Sequence, residues 1–353
     1  MPLRFESFYI MNSGWQQFLE QQGAIFDAGQ VSHFGDAAAE LNETAGGRIL
    51  CDLSQFGTLR VSGEEAQSFL QNMLSNDIGE VGANRAQLSS LNNPKGRMLA
   101  TLLIWRSGHD YLLQLPRELC EPIRKKLSMF VLRAKVKISD ASDEIVFIGL
   151  SGAGSQEILS RQFGELPKLP FDCIDNGQVV VLKLSDTRFL FCTVAPHAPT
   201  VWQSISQGAK PVGGICWDWL NIHAGIPVIQ PQTQEQFVPQ MANFELIGGV
   251  NFKKGCYPGQ EIVARMQYLG KVKRRMYLAH IESSEAPRPG DELFSADAEE
   301  QFGGMVVNAA PAPNHGYDIL AVLQISSRES KTVHWKSLQG ETLQFLPLPY
   351  PFP

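Results

Sequence analysis

Two Ser-Gly pairs, Ser62-Gly63 and Ser151-Gly152, most constrain the folds open to this chain. Each closes a strand-type run ("GTLRV" and "EIVFIGL") and leads into a helix-type run ("EEAQSFLQNMLSN" and "SQEILSRQFG"). With the pairs aligned, Gln67 meets Gln156 and Leu70 meets Leu159. Ala66, Phe69, Leu70, Met73 and Leu74 fall on one helical face. Paired strand-type runs follow each helix: "RMLATLLIW" with "DYLLQLP" around Ser107-Gly108, then "VVVLKLS" with "RFLFCTV" around Asp186-Thr187. The first set closes with a helix, "RELCEPIRKKLSMFVLR", in which Pro122 is tolerable only near the first turn, and a strand, "KVKISD". The second continues with helices over "TVWQSISQGA" and "ICWDWLNIHAG". The repeated element order predicts two α+β units of similar topology.

Ahead of them, residues 13–22 predict a short helix, with Trp15, Phe18 and Leu19 at helical spacing and Ser13 as its cap. After Arg275 the texture changes to short strands parted by Pro, Gly and Asn: "RMYLAHIES", "DELFSA", "GGMVVNAA", "DILAVLQIS" and "KTVHWKS". That spacing predicts a small β domain of barrel type. The tail "LPLPYPFP" reads as extended chain rather than a proline-recognition ligand. The expected boundaries are 1–142, 143–272 and 273–353.

Charge is distributed unevenly. The chain carries a net −6, which argues against a whole-protein polyanion binder. Between Asn251 and Tyr277, however, seven basic residues face one acid, Glu261, for a local +6. The six cysteines form no CxxC pair and no two are close, which argues against a local zinc site or a disulfide framework. The first seventeen residues lack the apolar core of a secretory leader, and no run approaches the ~20 apolar residues that span a bilayer. The expectation is a cytoplasmic protein with reduced thiols and no membrane contact.

"SGAGSQE" lacks both the Lys-Ser/Thr of a P-loop and the third glycine of a dinucleotide fingerprint, so it reads as a tight structural turn. "NNPKGRM" carries Lys95 and Arg97 on a turn before a strand. His223 stands before Ala224-Gly225, and the amides of "TQEQFVPQMANF" suit either a polar ring edge or an ordinary loop. The strongest signal is "NFKKGCYPGQEIVARMQYLGKVKRR". Pro258-Gly259 fits the centre of a type II turn; Ile262, Val263, Met266 and Leu269 then have helical spacing, with Gly270 as terminator. Cys256 lies just ahead of that helix, behind Lys253 and Lys254. Both features favour thiolate, while a buried cysteine beside a rigid turn fits the same residues.

"KKGCYPGQEIVAR" resembles the K-G-C-Y-x-G-Q-E signature of the YgfZ family, bacterial folate-binding proteins similar to the T-protein (aminomethyltransferase) of the glycine cleavage system. "VSGEEAQSFLQNMLSND", "SLNNPKGRML", the run from "AGIPVIQ" to "KKGCY", and "GGMVVN" with "ILAVLQI" extend the resemblance over most of the chain. It implies a ring of two α+β units and a small β-barrel around a central channel that binds tetrahydrofolate or a derivative. It implies support of iron–sulfur client enzymes, including those that thiomethylate tRNA. It assigns the functional thiol to Cys256, framed by Lys254, Gly255, Tyr257, Gly259, Gln260, Glu261 and Arg265. Folate contacts are expected from Lys95, Arg97 and His223, between the two units.

Two positions depart from the T-protein pattern. Ala100 and Thr101 stand where an aspartate pair is expected, and neither can act as a base near neutral pH. His223 stands where an acid is expected. These residues favour an accessory protein over an active aminomethyltransferase. A third reading is nucleic-acid binding through 251–277, with direct tRNA contact.

Overall fold

The computed structural model describes residues 11–295, 303–330 and 332–352. Residues 1–10, on which much of the leader reading rests, lie outside them, as do Ala296 of "DELFSA", Lys331 of "KTVHWKS" and Pro353 of the tail. The chain forms two compact units, each from two segments: Met1–Thr58 with Asp140–Trp217, and Leu59–Ser139 with Asp218–Pro353. The architecture is mixed helix and sheet, as the repeat and the strand-rich C-terminal part predict.

In the first unit a six-stranded sheet runs in the order Cys173–Asp175, Val179–Lys183, Arg188–Val194, Ile145–Ser151, Ile49–Asp52, Lys210–Val212. Only the last pair is parallel. Trp15, Leu19, Leu150, Phe189, Phe191 and Trp202 fill a core between this sheet and its helices. The helix Ser13–Gln21 is capped by Asn12, whose side chain accepts from the Gly14 and Trp15 N–H groups, so Ser13 is its first residue rather than its cap. Trp15 then donates its indole N–H to buried Asp52 at 2.7 Å. In "SGAGSQE" a Cβ on Gly152 would lie 2.2 Å from the Gly47 carbonyl, and the Arg48 guanidinium donates to the Ala153 carbonyl. Protein atoms fill the loop, which is the structural turn expected.

In the second unit a five-stranded sheet is ordered Gln87–Asn92, Met98–Ser107, Asp110–Pro116, Phe56–Ser62, Lys137–Asp140. The predicted face of helix Ala66–Met73 buries Ala66, Phe69, Leu70 and Met73 against it. In both sheets the strand before the Ser-Gly pair lies beside the second strand of the hairpin that follows, as the repeat requires. Both glycines have positive φ (+115° and +124°) and close backbone neighbours. The second copy differs by inserting Ile49–Asp52 next to Ile145–Ser151. Helix Arg117–Ser128 runs through Pro122, its sixth residue, past the first turn where proline was expected to be confined. An interior proline costs ~3 kcal/mol. Burial of Leu119, Cys120, Ile123 and Leu127 offsets that cost.

The C-terminal sheet is antiparallel throughout, ordered Val333–Trp335, Glu292–Ser295, Gly304–Pro311, Tyr317–Gln324, Arg274–Ile281, Leu343–Leu346. An isolated bridge, His334 to Thr342, links the two edges of this order, so the sheet curls into a half-barrel around Ile281, Leu293, Ile319, Leu323 and Trp335. Leu346 ends an edge strand, where the prolines beyond it cost no ladder bond. The tail then packs down. Tyr350 donates to the Gly225 carbonyl at 3.0 Å, and Phe352 stacks on Tyr277. Burial pushes the Tyr350 hydroxyl up to about 12. Among the described residues no helix is long and apolar enough to cross a membrane.

Gly63 carries the sharpest backbone constraint of the repeat: a Cβ there would sit 2.1 Å from the Lys135 carbonyl oxygen. Gly63→Ala is expected to destabilise the protein by ~2–4 kcal/mol, combining left-handed strain with backbone overlap. Urea unfolding followed by tryptophan fluorescence checks this, and an unchanged midpoint would contradict the geometry.

Candidate functional site

The two motif turns meet in the second unit. Asn93 organises the first: its side-chain oxygen accepts from the Lys95 and Arg97 N–H groups, and its carbonyl accepts from Gly96. The second is the type II turn predicted. Gln260 N–H donates to the Tyr257 carbonyl at 3.1 Å, and Gly259 has φ +80° and ψ 3°. The helix Gln260–Tyr268 starts from it. A Cβ on Gly259 would lie 2.4 Å from the Asn93 oxygen and 2.5 Å from the Gly96 Cα. The turns therefore touch backbone to backbone, which only glycine permits. The register of the helix differs from the sequence reading: Val263 alone is fully buried, and Leu269 is 85% exposed. The helix leans on its turn rather than on an apolar stripe.

Cys256 is exposed, and the other five cysteines are buried. Lys253 beside it is exposed, whereas Lys254 turns inward. Its ammonium donates to the carbonyls of Gln71 (2.5 Å), Leu74 (2.5 Å) and Asn76 (3.1 Å). These lie in and just beyond the last turn of helix Ala66–Met73, where carbonyls lack helical partners. Burial pushes the Lys254 ammonium down to about 8, with the Asp77 carboxylate opposing. Lys254 also sits 5.1 Å above the buried Tyr257 ring, whose hydroxyl burial pushes up to about 12. Lys254 thus anchors the loop that presents Cys256, with its charge turned toward carbonyls. Gln260 reaches back to the Lys254 carbonyl at 3.4 Å, while Gly255, Glu261 and Arg265 are exposed.

The expected folate residues fall into two groups. Lys95 is exposed beside Gly96 on the first turn. Arg97 is engaged, donating to the carbonyls of Glu235 (3.2 Å) and Gln236 (2.6 Å). His223 belongs to a different cluster, donating to Asp318 at 2.7 Å, with the Trp219 ring 4.0 Å away. Asp318 also accepts from the Trp219 indole and from His280, which approaches Glu282. Burial raises the Asp318 pKa, but these donors outweigh it and the net shift is downward. Asp318 stands where sequence reading found only a strand. Its one trace there is an acid within the apolar run "YDILAVL".

The amides of "TQEQFVPQMANF" mostly satisfy backbone: Gln234 donates to Leu99, Gln240 to Val263 and Asn243 to Met276. Other amides keep an unpaired N–H group. Alternation puts Ser90, Asn92, Thr101, Leu103 and Gln114 on one face of the five-stranded sheet. Asn92 Nδ2 and Gln114 Nε2 are buried there without a hydrogen-bond partner among the described residues. Thr101 Oγ1 accepts from Ile229 N–H on the same face, while Ala100 faces the core. Nearby along the chain, Asp218, Asn221, Gln230 and Asn308 line a small polar recess.

The GCVT N-terminal domain family matches residues 4–247. The tRNA-modifying protein YgfZ of Enterobacter sp. (strain 638) is 30% identical over 303 residues, covering 85% of this chain and 93% of that protein. Its counterpart in Escherichia coli (strain SE11) is 29% identical over 312 residues, covering 87% and 95%. The solved structure of the glycine cleavage system aminomethyltransferase T from Bartonella henselae aligns with a TM-score of 0.78 over 95% of this chain and 96% of that one. At 18% identity, that likeness shows the fold.

Removing the Lys254 ammonium strands three carbonyls, so Lys254→Met is expected to cost at least ~2 kcal/mol. The folded pKa of about 8 lies below the ordinary lysine value. Between about 8 and 10.5 the unfolded chain therefore binds more protons, and the group's contribution to stability rises with pH across that window, by up to ~1.4 kcal/mol per unit. The difference in unfolding free energy between wild type and Lys254→Met should widen from pH 8 to 10. Parallel curves would show that the ammonium is not buried.

Proposed function

Because this chain belongs to the YgfZ family and carries a GCVT N-terminal domain, we propose that it is a tetrahydrofolate-binding accessory protein for iron–sulfur enzymes of tRNA modification, thiomethylation in particular. The observation that carries this reading is the junction of the two turns. With Lys254 anchored upstream, it fixes the backbone on both sides of Cys256 and leaves that thiol the one exposed cysteine among six. A packing cysteine needs no such presentation; a thiol that meets a partner does.

The residues present fit a folate. Asn92 Nδ2 and Gln114 Nε2 are orphaned donors on the Thr101 face, and the ring nitrogens and carbonyl of a pterin are acceptors. The carboxylate and amides around Asn308 are of the kind that read its donor edge. Exposed Lys95 offers charge to a glutamate tail, whereas Arg97 and His223 serve by shaping backbone and sheet around the site. A bound tetrahydrofolate supplies or accepts a one-carbon unit. This chain's part is to hold it and to present Cys256. Ala100 lies in the core and Thr101 is hydrogen-bonded to Ile229, so neither takes a proton for amine transfer.

Calorimetric titration with tetrahydrofolate is expected to show submillimolar binding, weakened about tenfold in Gln114→Leu by loss of one buried donor. An aminomethyl-transfer assay should run at least ~10²-fold below an authentic T-protein. Comparable turnover would sink the accessory reading, and no heat of binding would sink the folate. In a deletion strain, Cys256→Ser should leave thiomethylated tRNA nucleosides, measured by mass spectrometry, near the deletion level. Full rescue would reduce Cys256 to packing.

A further inference from the structure

We propose that the outer surface of helix Gln260–Tyr268, with the residues leading into strand Arg274–Ile281, binds a single-stranded stretch of RNA. The proposal rests on the tRNA-modification reading and gives it a contact surface. Folding sorts the basic residues of 251–277. Lys254 is taken by three carbonyls, and Arg275 by buried Glu245 and the Gln240 carbonyl. Lys253, Arg265, Lys271 and Lys273 remain exposed and make no ion pair among the described residues. The one acid of the segment, Glu261, leaves this surface cationic in a chain of net charge −6. Such a concentration of unpaired cations attracts a polyanion.

Flat rings interleave with these cations. Ile262, Arg265, Tyr268 and Leu269 share one side of the helix by their spacing. Tyr268 is 67% exposed, and its ring meets Phe252 edge-on at 6.1 Å. Where the chain leaves the helix, a recess of about 550 Å³ is lined by Lys271, Arg275, Tyr277, Arg328 and Phe352, with Glu329 the one acid on its wall against three cations. That volume suits one nucleotide-sized group. Phe352 lies parallel to Tyr277 at its wall and is 40% exposed. The Arg328 guanidinium sits 4.3 Å over Phe345 and adds a cation to the wall of the recess. Cations that track a backbone, with aromatic faces on which bases stack, are what single-stranded nucleic acid requires. A protein-docking centre would instead be depleted of charge.

The test is fluorescence anisotropy with a labelled transfer-RNA mixture and, separately, a labelled oligouridylate, using the full chain. Four phosphate contacts predict about 50-fold weaker binding when salt rises from ~50 to ~200 mM, from a slope of about −0.7 per phosphate on a single strand. Lys253→Glu/Lys271→Glu/Lys273→Glu should weaken binding at least tenfold and flatten that slope. Tyr268→Ala should weaken it about fivefold or more while Tyr268→Phe retains it, which identifies stacking. All these side chains are exposed, and circular dichroism melts should match the wild type. Tetrahydrofolate titration of the same variants should be unchanged, so failure of the folate reading and failure of this one are distinguishable. Absence of RNA binding at low salt overturns the proposal. So does wild-type RNA affinity in variants that no longer support thiomethylation, a result that would make this face a protein-docking surface.

Discussion

Two glycines far apart in the sequence, Gly96 and Gly259, meet with no side chain between them, and the arrangement around Cys256 follows from that contact. Gly96 and Gly259 both sit at positive φ, so their turns can close tightly and then press together. Any Cβ on Gly259 would fall inside van der Waals range of the Asn93–Gly96 backbone. The contact couples the loop that carries Lys95 to the helix that follows Cys256. Two surface loops, each with the entropy of a loop, become one rigid piece. The hairpin Gln87–Asn92 with Met98–Ser107 supplies the fixed base, since Asn93 closes the turn by donating to the Arg97 carbonyl and accepting from Gly96 N–H.

Lys254 secures the other side. A lysine placed in the interior usually finds a carboxylate; this one finds three carbonyls in and just beyond the last turn of a helix that has no capping side chain at its start. The helix end gains the cation its partial negative charge favours, and the motif loop gains a fixed point. The cost is desolvation of an ammonium, seen in its depressed pKa. Arg275 makes a parallel arrangement at the far end of the segment, where burial raises the Glu245 carboxyl although Arg275 opposes the rise. The two inward cations order the segment, and the outward ones give it its surface charge.

Much of this was legible before the fold was known. The Ser-Gly repeat specified the two strand–helix–hairpin sets, and turn chemistry specified the Pro258-Gly259 turn and the helix after it. These are local properties, set by dihedral preference and apolar periodicity within a dozen residues. The short strands Ile49–Asp52 and Lys210–Val212 were not legible, because three or four residues hold too little pattern and their pairing joins distant segments. Pro122 misled for the opposite reason: a local rule was overridden by burial of a whole helix face.

The sequence by itself determined the elements, the identity of the turn at Cys256 and the excess charge of its segment. Only the tertiary structure decided what each of those charged groups touches. Lys253 and Lys254 are neighbours of one type, yet one faces solvent and the other three carbonyls more than 170 residues earlier. His223 was visible as a histidine at the end of a helix, but its partner Asp318 lies 95 residues on and is brought to it by a strand of the C-terminal sheet. Side-chain partners across such distances depend on how elements pack, and packing free energy is a property of the assembled core that no local window contains.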